Sequence, residues 1–278
     1  MANLLAGLED LGLGKLSDME VYGDVEKAKK AAKAESEKKE KTEEEYLFDK
    51  TYTCPVCDEE FKTMAVRTGK AQLIGTDSDL RPHYKGIDPL KYDAVVCPRC
   101  GYAALTRFFA PLSGSQMRLI MEQISKKFQA TIRSDKVFTY DDAILRHRLS
   151  LASAVVKHSK VSERAYICLK TAWLLRAKQE ECTREEEKAE LHAQEQEFLK
   201  TAYEGFTEAS SKEDYPICGM DEMTMLCLLA DLGRRIGKYD EAGRLISRVI
   251  TSPSAPERIK NKAREIRDLI KADSSGIK

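Results

Sequence analysis

Four cysteines are arranged in two identical pairs, and their spacing indicates a metal site. The pairs are Cys54-Pro-Val-Cys57 and Cys97-Pro-Arg-Cys100. Each pair can grip one ion from a single tight turn, and two such turns brought together supply four thiolates in a tetrahedron. The sequence therefore predicts a closed tetrathiolate site for zinc (Zn²⁺), with iron as the alternative metal.

The residues that flank the pairs support this prediction. A cysteine knuckle wraps its backbone N–H groups around the sulfurs and then needs a residue that tolerates a positive φ. Gly101 takes that place after the second pair, and Asp58, which tolerates the left-handed region better than most residues, takes it after the first. Pro55 and Pro98 set φ inside each knuckle.

A thiol redox pair is the alternative interpretation of each CxxC sequence. Such a pair normally opens a helix after a strand, because the helix N-terminus activates one thiol. Neither Asp58-Glu59-Glu60 nor Gly101 is a good helix start. A closed tetrathiolate leaves no position for water, so we expect the site to be structural. Four further cysteines are unpaired in the sequence and are expected to be small buried hydrophobic side chains: Cys168, Cys182, Cys218 and Cys227.

The two pairs lie in residues 49–112, which we expect to form a small β-rich module. Aromatic and β-branched residues alternate with polar ones in "TYTC", "EEFKTMAVRT" and "YDAVVC", and glycines and prolines mark turns between them. The 39 residues 58–96 between the pairs exceed the usual spacing of about 15 to 20. The predicted zinc ribbon must therefore carry an extended insertion.

Residues 113–278 are expected to form an α-helical body of seven helices with short connections, stacked as antiparallel pairs. Capping-box sequences open four of these helices, at Ser113, Thr139, Thr183 and Ser254. The sequence "GKYDEA" at 237–242 is similar to the inter-helix turn of a tetratricopeptide repeat. The predicted fold class is α+β, mainly α: a zinc-ribbon-like module followed by a tetratricopeptide-like repeat body.

Residues 1–48 are expected to be a flexible arm and linker. Between residues 26 and 45, 14 of 20 residues are Lys or Glu, and no aromatic or β-branched aliphatic residue is present, so this segment cannot pack a core.

The overall composition indicates a cytoplasmic protein. The chain has 278 residues with 46 basic and 46 acidic side chains, so no net charge draws it to nucleic acid or anionic lipid. The sequence has no apolar run of the roughly 18 to 20 residues that a bilayer requires, and its first residues do not resemble a signal peptide. In the cytoplasm the cysteines stay reduced, which favours metal binding over disulfides.

Several residues resemble a bacterial family catalogued as domain of unknown function 2225. The matching features are Asp77-x-Asp79, Tyr84, Pro89, Tyr92 and "VCPRCGYAAL". The resemblance covers roughly residues 50–255. In that family a CxxC knuckle pairs with a later CPxCGYA knuckle, and helices resembling tetratricopeptide repeats follow. The resemblance implies a zinc ribbon on a helical-repeat body, and it implies no activity.

A second group of polar residues lies inside the insertion. Asp77, Asp79, Arg81 and His83 fall within "GTDSDLRPHY" and could form a ligand or catalytic patch. The alternative is a turn with local Asp caps and one Asp–Arg pair, which the sequence favours.

The sequence favours a binding protein over an enzyme, since it contains no phosphate-binding glycine loop and no nucleophile-elbow motif. We expect a metal-binding adaptor that docks a protein or peptide in the groove of its helical repeats. The alternative is a nucleic-acid-associated zinc-ribbon protein. It would use the basic C-terminal helix over residues 254–278, together with an exposed Tyr102 or Arg99.

Overall fold

The computed structural model describes residues 42–129 and 136–276, so residues 1–41 of the predicted arm lie outside the described part. The compact unit begins at Glu43. A short 3₁₀ helix, Glu43–Tyr46, precedes the first strand, and the carboxylate of Glu43 accepts a hydrogen bond from the Tyr92 hydroxyl at 2.7 Å. Residues 43–48, assigned to the arm from the sequence, are therefore part of the folded unit.

Six short strands form three separate antiparallel hairpins in the described part of the chain. Their bounds are β1 Leu47–Thr53, β2 Glu60–Val66, β3 Gln72–Thr76, β4 Pro82–Lys85, β5 Ala94–Val96 and β6 Ala103–Leu105. β1 pairs with β2, β3 with β4 and β5 with β6. Each cysteine pair lies in the turn of one hairpin, the first between β1 and β2 and the second between β5 and β6. The β3–β4 hairpin is the insertion between them.

Seven α-helices follow within the described residues. Their bounds are α1 Gly114–Gln123, α2 Tyr140–Val156, α3 Val161–Glu181, α4 Glu185–Lys212, α5 Glu222–Arg235, α6 Tyr239–Thr251 and α7 Glu257–Ser274. From α2 onward each helix packs on the next one along the chain. With the small hairpins, this architecture confirms the predicted α+β, mainly α class.

The helix starts agree with two of the four predicted capping boxes. Ser113 and Thr139 each accept a bond from the third backbone N–H of their helix, and the N3 side chain bonds back to the cap. The other two predictions were wrong. α4 begins after Arg184 rather than Thr183, and α7 begins after Pro256 with no side-chain cap. The Ser254 hydroxyl bonds the Ser252 hydroxyl at 3.0 Å instead of capping the helix.

The turn between α5 and α6 contains the helix-ending glycine that the "GKYDEA" sequence predicts. Gly237 has a φ of +80°, a conformation that side-chain-bearing residues rarely adopt. The last three helices enclose their own apolar cluster, which includes Leu226, Ile246 and Ile266.

The largest apolar core lies among α2, α3, α4 and α5, around Leu174, Leu199 and Phe206. Leu90, from the short 3₁₀ helix Pro89–Tyr92, packs in the same cluster. β6 is joined to α2 by a hydrogen bond from the Ala103 backbone N–H to the Ser153 hydroxyl at 3.1 Å. The hairpins and the helices of the described part therefore form one continuous packed structure.

Candidate metal centre

The structure brings the four predicted cysteines together. Their Sγ atoms all lie within 4.8 Å of one another, and three of the four residues are buried. Two of the separations are 3.6 Å, Cys54 Sγ to Cys100 Sγ and Cys57 Sγ to Cys97 Sγ. A disulfide would place its two sulfurs about 2 Å apart, so the four cysteines are free thiols.

These separations fit a tetrathiolate metal ion. A regular tetrahedron with metal–sulfur bonds of about 2.3 Å has sulfur–sulfur edges of about 3.8 Å. The two separations of 3.6 Å are already close to this edge, and the longest, at up to 4.8 Å, would shorten by about 1 Å on binding an ion. The cluster is therefore able to bind a metal, and its all-sulfur donor set is the one that zinc and iron prefer.

The two knuckles have the same backbone hydrogen bonds, which explains why their sulfurs can converge. In the first, the Cys54 carbonyl accepts from the Asp58 N–H at 3.0 Å, and the Cys54 N–H donates to the Glu59 carbonyl at 2.9 Å. In the second, Cys97 makes the equivalent bonds with Gly101 and Tyr102 at 3.0 and 2.9 Å. Both knuckles are closed by a left-handed residue, as predicted.

Gly101 is required at this position by packing as well as by conformation. Asp58 has a φ of +56° and Gly101 one of +74°, so aspartate meets the conformational requirement in the first knuckle. At Gly101, however, a Cβ atom would lie 2.4 Å from the ring of Phe128. An aspartate in the second knuckle would therefore collide with Phe128.

The cluster lies within an apolar shell. Tyr102, Val95 and Phe61 are buried around it, together with Ile120 from α1. This shell corrects one expectation, because Tyr102 is fully buried rather than exposed and cannot stack on a base. Its hydroxyl has no hydrogen-bond partner among the residues that the structure describes. Arg99 is exposed, and its guanidinium forms an ion pair with Glu59 at 3.2 Å.

Crowding of the sulfurs prevents all four from ionising without a cation. Hydrogen bonds from the Cys100 and Cys54 thiols lower the pKa of Cys97 to about 2. The same bond network, together with burial, raises the pKa of Cys100 far above its usual value. The neighbouring thiols thus stabilise the Cys97 thiolate and themselves stay protonated. A divalent ion would supply the positive charge that lets the other cysteines ionise.

The remaining cysteines do not form a second cluster. Cys168 and Cys227 are buried in helix interfaces, as expected, and burial raises their pKa values to about 12 and about 11. Cys182 and Cys218 are partly exposed rather than fully buried.

The residues of the second predicted patch are not gathered into one open site. The turn at residues 77–81, which we term the acidic turn, packs its side chains against the helices. Asp79 is fully buried and accepts from Trp173 Nε1 at 3.1 Å and from Arg176 Nη2 at 2.7 Å. Arg81 forms a two-bond pair with Glu180, each bond 2.7 Å long. These partners all lie on α3.

Contacts with the other helices extend this network. The Ser78 hydroxyl donates to the buried Asp231 of α5 at 2.9 Å, and Asp231 also binds the Arg235 guanidinium at 2.8 Å. Lys262 of α7 donates to the Asp77 carbonyl at 3.1 Å. His83 differs from the others, because its ring nitrogen bonds Asp77 at 2.6 Å and its side chain is partly exposed. The acidic turn therefore attaches the β3–β4 insertion to three helices.

Sequence reasoning did not identify the helical partners of this turn. Asp231 offered a signal, because it is a lone acid in the apolar run "MTMLCLLADLG" of α5, where burial requires a compensating partner. Arg176 carried no such signal, since it is one of several charged residues distributed along the α3 sequence. Its selection by Asp79 depends on the packing of the insertion.

Ion pairs also engage part of the basic C-terminal helix. Arg264 binds Glu257 at 2.7 Å, and Arg267 contacts Asp268 at 3.4 Å.

None of the helices in the described part is long and apolar enough to cross a membrane.

The fold and the cysteine cluster together define a mainly helical α+β protein with a four-cysteine metal-type centre. Comparison with protein families places the chain in one of them. It belongs to the family described as "Uncharacterized protein conserved in bacteria (DUF2225)", whose profile matches residues 47–270. The match begins at the first residue of β1 and ends within α7. Comparisons with curated proteins and with solved structures give no match.

The buried carboxylate of Asp79 predicts a pH-dependent contribution to stability. Burial by itself raises the pKa of Asp79, but the Arg176 and Arg235 guanidinium groups outweigh it and hold the pKa below its usual value. A carboxyl with a depressed folded-state pKa stabilises the protein above its unfolded pKa of about 3.9, and the contribution is lost as the pH falls through the folded value. We expect Asp79→Asn to lower the free energy of unfolding by about 3 to 5 kcal/mol at pH 7.

Urea unfolding of both proteins at pH 7 and at pH 3 checks this expectation. The difference between wild type and Asp79→Asn should shrink at the lower pH, because pH 3 lies below the pKa of about 3.9 that this carboxyl has in the unfolded chain. Asp141→Asn is the matched control, because Asp141 is an exposed acid of α2 that pairs with Lys178 of α3. An Asp79→Asn deficit that is the same at both pH values would contradict the assigned role of the charge.

Proposed function

We propose that the four cysteines hold one structural Zn²⁺ ion in a cytoplasmic protein that acts as a protein-interaction adaptor. The metal part of this proposal is supported by the four Sγ atoms, which lie within 4.8 Å of one another in a mostly buried site. Zinc is the preferred ion because four cysteines in a closed tetrahedron are a common structural zinc site, and this donor set leaves no position for water or substrate.

The ion would act by joining two hairpins that share no backbone ladder. β1–β2 and β5–β6 are separate two-stranded sheets, and an isolated two-stranded hairpin is marginal in water. Zinc binding would couple their folding, since the free energy of metal binding becomes free energy of folding. The apolar shell around Tyr102 would then be held against α1.

The zinc proposal is tested by metal content and by the variant Cys97→Ser. We expect one equivalent of zinc in protein purified without chelator, and loss of the ion in Cys97→Ser, because three thiolates bind more weakly than four. The hairpins should unfold while the helical circular dichroism is largely kept. The measurements are elemental analysis, far-ultraviolet circular dichroism and amide hydrogen exchange over residues 47–66 and 94–105.

Cys182→Ser is the matched control, because Cys182 is partly exposed and remote in sequence from both knuckles. It should retain the metal. A zinc content well below one equivalent in wild-type protein would refute the proposal. Stoichiometric iron with visible absorption would instead select the alternative metal, since d¹⁰ zinc has no such bands.

The adaptor part of the proposal is supported by a groove among α2, α3 and α4. The groove encloses about 280 Å³, with an apolar floor that includes Ile144, Leu175 and Leu191. Leu145 lines it and is 57% exposed, so a large apolar side chain is open to a partner at this groove. Charged side chains of both signs surround the floor: Asp141, Arg148, Lys178, Glu187 and Glu190.

This composition resembles that of peptide-binding grooves, where an apolar anchor enters the floor and polar groups fix its orientation. A partner helix or peptide with one or two apolar anchors would cover Leu145. The proposed partner is therefore a protein, and the proposed binding surface lies on the helical body rather than at the metal centre.

Affinity capture with the variant Leu145→Glu tests the adaptor proposal. A buried glutamate at the interface would leave a charge without a partner, so we expect proteins captured by the wild type to be reduced by at least about ten-fold. Quantitative mass spectrometry of the captured proteins is the measurement.

Leu269→Glu provides the matched control, since Leu269 is also an exposed leucine but lies on α7, away from the groove. Proteins that are lost with Leu145→Glu and kept with Leu269→Glu would support the groove. Identical capture by all three proteins would rule it out.

Nucleic-acid association is the alternative proposal. Its support is the excess of basic residues on α7, although Arg264 and Arg267 face acids. Phosphate contacts would make binding fall steeply with salt. If this alternative holds, the protein is retained on single- or double-stranded DNA or RNA at about 50 mM salt and released by about 200 mM. Failure to bind at the lower salt concentration would eliminate it.

A further inference from the structure

A cavity of about 370 Å³ lies between the insertion, α3 and the turn before α5. Leu80, Pro82 and Tyr84 line it from the insertion, and Leu169 and Trp173 line it from α3. Its walls are therefore mostly apolar and aromatic, and its volume falls within the range of about 300 to 1,000 Å³ typical of small-molecule sites. It is separate from the cysteine cluster, none of whose four residues line it.

Trp173 is held in a fixed position at this wall. Its indole N–H donates to the buried Asp79, so its one polar group is already satisfied. The ring is then available as a rigid apolar surface. Because the acidic turn and α3 are joined by this bond and by the Arg176–Asp79 pair, the cavity wall is preformed rather than assembled around a ligand.

A lysine and an aspartate lie at another part of the lining. Lys170 donates to Asp93, and both residues line the cavity and are partly buried. The Lys170 ammonium is also 4.8 Å from the centre of the Tyr166 ring, which lines the cavity as well. Lys170 has three N–H donors, so the bond to Asp93 leaves capacity for a further acceptor.

A second cation lies beside the same ring. The Arg107 guanidinium carbon is 5.2 Å from the centre of the Tyr166 ring, and its Nη1 donates to the carbonyl of Cys218, another lining residue. Within the described part of the chain, Arg107 forms no ion pair with a carboxylate. Asp93 is matched by Lys170. The two other carboxylates that act on Cys218, Glu163 and Glu213, are bound by Lys157 and by Ser162. Arg107 is exposed and does not line the cavity itself, but its guanidinium places a positive charge beside this end, where it can meet an anion.

We propose that this cavity binds a small organic anion with an aromatic or aliphatic body and one carboxylate. The body packs against Trp173, Leu80 and Met220, and the carboxylate lies near Tyr166, where Lys170 and Arg107 can reach it. This site is independent of the proposed metal and groove functions, because neither the four clustered cysteines nor Leu145 line it.

Trp173 makes the proposal directly measurable, because it is the single tryptophan of the chain. The probe is 4-phenylbutyrate, titrated into the full-length, metal-loaded protein while the tryptophan fluorescence is recorded. 4-Phenylbutylamine and 4-phenyl-1-butanol have the same body with a positive and a neutral end. We expect a saturable fluorescence change with the carboxylate, and several-fold weaker binding of the other two probes.

Two variants, measured by titration calorimetry, locate the site. Arg107→Gln should weaken the binding of 4-phenylbutyrate by about two- to five-fold, as expected for one exposed charge at the edge of the cavity. Met220→Trp fills the cavity and should weaken it by at least about ten-fold. The controls are Arg267→Gln, which removes the same charge from α7, and Met121→Trp, which adds the same bulk on the exposed side of α1.

Each result of these titrations either supports the proposal or overturns it. Saturable binding that prefers the carboxylate, is weakened by both cavity variants and is unchanged in both controls supports the proposal. Absence of binding at millimolar probe, equal binding of all three probes, or stronger binding of the amine overturns it. Binding that survives Met220→Trp, with circular dichroism confirming that the variant is folded, places the probe elsewhere and also overturns it.

Discussion

Four sulfur atoms that lie within 4.8 Å of one another in a mostly buried site repel as thiolates unless a cation lies among them. The β-rich part of the chain depends on this constraint, because its three hairpins have two strands each and no ladder joins them. The identical hydrogen bonds of the two knuckles aim the sulfurs at one point. Once the sulfurs meet, Tyr102 and Val95 are buried with Ile120 of α1, so the geometry of the cluster also fixes how the hairpins meet the first helix.

The acidic turn provides a second attachment with a different physical basis. A buried carboxylate without a partner is costly, so Asp79 requires the donors of Trp173 and Arg176, which lie close together on α3. Ser78 reaches Asp231 on α5 in the same way. These bonds are directional, unlike apolar packing, and they hold the insertion in one orientation on the helices. The insertion is thus a second place, besides the bond between β6 and α2, at which the hairpins are attached to the helices.

The proposed partner and ligand sites lie apart from the cysteine cluster. A closed four-sulfur centre has no free coordination position, so it offers no place for either of them. The structure offers two such places on the helical side, the groove at Leu145 and the cavity at Trp173. The cavity depends directly on the acidic turn, because the bond from Trp173 to Asp79 holds one of its walls in place.

The local features of this protein were determined by the sequence. The spacing of Cys54, Cys57, Cys97 and Cys100, the left-handed residues Asp58 and Gly101, and the capping boxes at Ser113 and Thr139 all express short-range rules of backbone geometry, and the structure agrees with them. Burial and the pairing of residues far apart in the chain were decided by the tertiary structure. Tyr102 was expected at the surface and is buried, and Asp79 was assigned to a local turn although its partners lie more than 90 residues away. Burial and ion pairing depend on which elements meet in space, and that information is spread over the whole chain rather than contained in any one segment.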